Sequence, residues 1–82
     1  MKNILHKNEK KLSEVQPGST WIVVSLEGGK GFITRLSEMG IRKDLTLEVI
    51  SNSGGPVFVK CGESRFAIGH DMSKKIIVRK MM

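Results

Sequence analysis

One cysteine, one tryptophan, two prolines and no tyrosine stand among the 82 residues, and apolar runs are short. With a single thiol, Cys61, no disulfide can close within the chain, and a lone cysteine is a poor start for a zinc site. A small domain without disulfides suits a reducing compartment. The opening MKNILHKNEKK places only Ile4 and Leu5 side by side, where a secretory leader needs a longer apolar stretch. Nothing approaches the roughly 20 apolar residues that cross a bilayer. The expectation is a soluble, cytoplasmic protein without direct membrane insertion. A chain of this length makes one domain that buries about 60–65% of its unfolded surface.

Positive charge is plentiful, with a formal net charge of +6, but it is unevenly placed. Residues 1–11 carry four lysines against one glutamate, and residues 74–80 carry Lys74, Lys75, Arg79 and Lys80 with no acid. The stretch between holds six basic and seven acidic residues. On this reading the basicity belongs to the two ends and not to a surface of the folded body. That permits nonspecific attraction to phosphates or anionic lipid heads and is a weak argument for a dedicated nucleic-acid site. Trp21 and the three phenylalanines fall in separate segments, which also denies a base-stacking ladder.

Along the chain, residues 1–11 have no sustained period and read as a flexible basic tail, leaving 12–82 as the domain. Pro17-Gly18 signals a turn before TWIVVSL (20–26), whose β-branched and aromatic residues predict a strand. Its alternation is expected to turn Ile22, Val24 and Leu26 inward, with Trp21 and Val23 on the other face. After EGGKG, the spacing of Phe32, Ile33, Leu36 and Met39 predicts a short helix. Gly40 suits its left-handed C′ position, and Ile41 as C″ would then close a Schellman cap against Leu36. Strands follow at LTLEVIS (45–51), with Leu45, Leu47 and Val49 inward, then PVFVKC, RFAIG and IIVRK. HDMSKK reads as a single helical turn with Asp71 as its cap. About five short strands and one helix after the first predict a mainly β fold, a small, strongly bent antiparallel barrel.

The parts of this pattern in order, PG before the first strand, RLSEMGI at 35–41, GGPV at 54–57, RFAIG at 65–69 and a closing IIV, resemble the FeoA family. The resemblance spans roughly residues 12–78. It implies an SH3-like barrel and a non-enzymatic role supporting bacterial ferrous-iron uptake, through contact with the transporter FeoB and without a cofactor. It also relates the domain to the C-terminal module of iron-dependent repressors, the alternative being a small nucleic-acid-binding or metal-responsive barrel. Where the family usually has a Pro-Gly turn after GI, this chain has Arg42-Lys43-Asp44. Monomer and weak dimer both remain open.

No chemistry-bearing constellation competes with that reading. EGGKG lacks the spacing of a triphosphate-binding loop. His6, His70, Asp71 and Cys61 give no ligand pair with metal spacing, so His70 and Asp71 are weak metal candidates only. Cys61 has no positioned base and His70 lies nine residues on, which argues against an enzyme. The expected contact surface is therefore the exposed side of the helix, with Arg35, Leu36, Glu38 and Met39 as partner-binding residues. Gly18, Gly40 and Ile41 are the expected turn and cap residues.

Overall fold

A computed structural model describes residues 8–81, so His6 and most of the expected tail lie outside the described residues. The elements run β1 (Glu9–Lys11), a 3₁₀ turn (Leu12–Glu14), β2 (Thr20–Leu26), α1 (Lys30–Glu38), β3 (Thr46–Asn52), β4 (Val57–Cys61), β5 (Ser64–Ile68), α2 (His70–Ser73) and β6 (Ile76–Lys80). One antiparallel sheet holds all six strands in the order β1-β6-β2-β3-β4-β5. Side chains from β2 through β6 share one core that includes Val23, Val49, Val59, Ile68 and Val78. A single sheet can gather such residues only by curling, as SH3-like folds do. The hydrogen-bonded ladder stays open between β1 and β5, so the six strands form an open sheet and not a barrel closed by pairing.

Two expectations need correction. Residues 9–11 are not tail: Glu9, Lys10 and Lys11 stand opposite Arg79, Val78 and Ile77. The triplet EKK carries no apolar signal, and a strand that owes its existence to a distant partner cannot be read locally. The faces of β2 are also reversed near its start. Trp21 and Val23 are buried, while Ile22, Val24 and Leu26 are half-buried. Both faces of β2 are apolar, so a period of two identifies the strand without choosing the inner side. The indole N–H of Trp21 donates to Ser19 Oγ at 2.6 Å, and Ser19 Oγ in turn donates to the Gln16 carbonyl. That satisfied donor is what lets a tryptophan occupy the core side.

Sequence alternation matches the burial of β3, where Leu47 and Val49 are buried and Thr46, Glu48 and Ile50 are exposed. The bulge between Val49 and Ser51 sets both Ile50 and Ser51 against Phe58 on β4. Beyond it, Asn52 Nδ2 donates to the carbonyls of Ser13 and Val15, at 3.0 and 2.8 Å. This ties the segment after β1 to the end of β3. Gly18, at φ +90°, turns the chain into β2 and donates its amide to the Val49 carbonyl at 2.9 Å.

Candidate interaction surface

Helix α1 ends as its residues dictate. The Gly40 amide donates to the Ser37 carbonyl at 2.9 Å and the Ile41 amide to the Leu36 carbonyl at 2.8 Å, the bond pair of a Schellman motif. Gly40 takes φ +93°, and Leu36 and Ile41 are fully buried. Of the four residues expected to meet a partner, Leu36 is therefore removed: with no exposed area it anchors the helix and touches nothing outside. Arg35 and Glu38 are exposed, and Met39 is half-buried against the core.

The Arg42-Lys43-Asp44 segment turns tightly. Leu45 donates to the Arg42 carbonyl at 3.2 Å, and Asp44 has φ +75°, the only positive φ outside glycine among the described residues. That is a type II arrangement with aspartate where glycine is favoured.

Past the cap, the surface continues onto the sheet. A Cβ at Gly40 would stand 3.9 Å from Phe66 Cζ, so the helix end abuts β5. Beside β5 lies a groove of about 390 Å³, lined by Ile50, Phe58, Arg65, Phe66 and Ala67 among others. Phe58 is 46% exposed and Ile50 42% exposed, and with Met81 they are the large apolar side chains most open to solvent among the described residues. Sequence reading placed both on strands but missed the patch, because outward apolar residues look the same as inward ones until the faces are known.

The remaining candidates come apart. Asp71 does not cap α2: the N-cap is Gly69 without a side-chain bond, and Asp71 is exposed with a 3.9 Å ion pair to Lys74. Ser73 Oγ instead donates to the His70 carbonyl at 2.7 Å, closing the turn from its other end. His70 is half-buried, with Nδ1 buried and unbonded. Among the described residues, no three His, Cys, Asp or Glu side chains gather as a metal site would require. Cys61 is half-buried at the end of β4, opposite Ser64, and burial pushes its thiol pKa up, away from nucleophilic use. The EGGKG loop enters α1 at Gly29 with no side-chain cap. No described helix is long and apolar enough to cross a membrane.

The charge distribution also differs from expectation. Pairing of β1 with β6 joins the two basic ends within the folded body, along one edge of the sheet. Lys10 and Lys80 line a cleft of about 300 Å³ with Gln16, Pro17, Ser19 and Trp21.

Comparison with known proteins agrees with this architecture. The FeoA domain family model matches residues 10–80. A putative Fe(2+) transport protein A from Methanocaldococcus jannaschii is 37% identical over 67 residues, covering 82% of each chain. The crystal structure of an iron uptake regulatory protein (FeoA) superposes with a TM-score of 0.83 at 35% identity, covering 89% of this chain and 99% of the other. A manganese-dependent transcriptional repressor shares the fold alone, with a TM-score of 0.81 at 18% identity over 42% of its length. With residues 10–80 of its 82 inside the family match, this chain belongs to the FeoA family of ferrous-iron transport accessory proteins.

Proposed function

We propose that the protein is a non-enzymatic accessory factor of ferrous-iron uptake that works by binding an FeoB-type transporter. The contact surface in this reading runs from Arg35, Glu38 and Met39 on α1, past Gly40 and Phe66, to Phe58 and Ile50 on the sheet. The observation that carries it is the exposure of Phe58 and Ile50 beside Arg65. Aromatic, methionine and arginine side chains around an apolar centre are the usual composition of a protein contact. An apolar patch left open on a small soluble domain calls for a partner. The family membership supports the process, and the exposed patch supports protein contact as the means.

The test is capture of a detergent-solubilised FeoB-type transporter by the immobilised chain. Wild-type protein should retain the transporter, and Phe58→Asp should lose most of it while melting normally. Retention unchanged by both Phe58→Asp and Arg35→Glu would move the contact elsewhere on the molecule. No retention by the wild type would defeat the direct-contact reading.

A further inference from the structure

We infer that the edge built from β1 and β6 docks the protein on an anionic phospholipid surface. Residues 1–11 hold four lysines and one glutamate, and residues 70–80 hold three lysines, one arginine and one aspartate. The body between them has equal numbers of acids and bases, so the whole net charge of +6 sits in these two segments. Strand pairing sets Glu9–Lys11 beside Ile77–Arg79: β1 is the outermost strand among the described residues and β6 lies next to it. Lys10, Lys11, Lys74, Lys75, Arg79 and Lys80 are all exposed there.

The register distributes these cations around the edge. Lys10 stands opposite Val78, and Lys80 opposite Trp21, so both side chains leave on the inner side, at the mouth of the curled sheet. Arg79 stands opposite Glu9 and Ile22 on the other side. An edge-on approach therefore presents cations from both faces to one plane. No acidic side chain lines the cleft between Lys10 and Lys80. Clusters of four to eight Lys or Arg are what attract a protein to anionic lipid headgroups.

Chemistry favours lipid over the other polyanions. Stacking on nucleic-acid bases needs open aromatic faces. Here Trp21 is 5% exposed, and the Phe32 ring lies under Lys75 Nζ at 5.2 Å. An acidic peptide could extend the sheet, but β1 offers only three residues of edge. An apolar side chain set among the cations suits an interface: Met81 is 42% exposed next to Lys80.

The experiment co-sediments the full chain with vesicles of phosphatidylcholine alone and with vesicles partly replaced by phosphatidylglycerol. Binding to the anionic vesicles, lost at high salt, is expected, with none to the neutral ones. Lys10→Glu combined with Lys80→Glu should reduce it by at least about tenfold. Lys43→Glu combined with Lys60→Glu changes the net charge equally in the neutral body and should reduce it by less than about threefold. If the edge pair melts early, Lys10→Gln with Lys80→Gln takes its place. Equal losses for edge and body variants would overturn the docking edge, leaving only net charge. So would the absence of preference for phosphatidylglycerol, or displacement by duplex DNA at matched phosphate. The vesicles contain no protein, so this outcome is independent of transporter contact.

Discussion

The amide of Ile41 donates to the carbonyl of Leu36 at 2.8 Å, and both side chains are fully buried. Two residues five apart thus clamp the helix end by a backbone bond and by burial in one core, with Gly40 between them at φ +93°. Gly40→Val should destabilise by about 2 kcal/mol, because a β-branched residue resists the left-handed region. The cost is backbone strain and not crowding, since a Cβ there meets only Phe66 Cζ at 3.9 Å. Leu36→Ala should cost about 2–5 kcal/mol. Thermal melts read both, and wild-type behaviour from either variant would contradict the clamp.

Asp44 tests the same logic at a turn. Its φ of +75° sits where a type II turn prefers glycine. Asp44→Gly should relieve strain and stabilise by up to about 0.5–1 kcal/mol, after allowing for the entropy glycine adds to the unfolded chain. Asp44→Val should instead cost about 1–2 kcal/mol. Melting temperatures that fall for glycine and hold for valine would refute the turn assignment.

Asn52 holds the segment after β1 through two bonds, to the carbonyls of Ser13 and Val15. Asn52→Leu removes both donors from part-buried acceptors and should cost about 1–3 kcal/mol. Hydrogen exchange should then quicken at Leu12–Val15 more than in β4. Uniform acceleration across the sheet would show that Asn52 serves the whole fold and not this anchor.

Cys61 gives a pH dependence with a definite sign. Burial raises its folded pKa above the ordinary 9.0. The unfolded thiol then ionises first, so the stabilisation is full below pH 9.0 and is lost as pH rises through the folded value. As pH rises above 9.0, the melting temperature of the wild type should fall more steeply than that of Cys61→Ala. Parallel curves would mean that the thiol is not desolvated in the fold.

Much of this architecture was legible because local chemistry and tertiary packing agree. The alternation of Leu47 and Val49 and the stop at Gly40 carry their signals within a few residues. What escaped depends on partners distant in sequence. Glu9-Lys10-Lys11 becomes a strand only because β6 offers its free edge, and that pairing turned two basic ends into one surface. The inner face of β2 was ambiguous because Ile22 and Val24 are as apolar as Trp21 and Val23. On α1, the exposure of Arg35 and Glu38 was readable from helical spacing, whereas Leu36, expected at the partner surface, is fully buried. The cap that sequence identified at Gly40 is itself what draws Leu36 inward, so the two expectations for that residue were incompatible. Alternation along β3 put Ile50 outward, but its meeting with Phe58 in one patch stayed hidden because it depends on the pairing of β3 with β4.

The functional reading separates from stability at Phe58 and Arg35. Both side chains are exposed, and neither forms a hydrogen bond or ion pair among the described contacts. Substitutions at Arg35 should change stability by less than about 0.5 kcal/mol, and at Phe58, 46% exposed within β4, by about 1 kcal/mol. As interface centre and charged rim, they should differ in effect. Phe58→Ser removes buried apolar area in the complex and should weaken transporter binding by about 2 kcal/mol or more, mainly through faster dissociation. Arg35→Glu should weaken it by about 1–3 kcal/mol, with much of the change in association rate and a reversed dependence on salt. Cells carrying either variant should accumulate normal amounts of soluble protein yet take up ferrous iron poorly. Lys43→Glu, exposed and off this surface, is the matched control and should preserve uptake. Full uptake with Phe58→Ser and Arg35→Glu combined would mean that the α1–β5 surface is not where the protein meets its transporter.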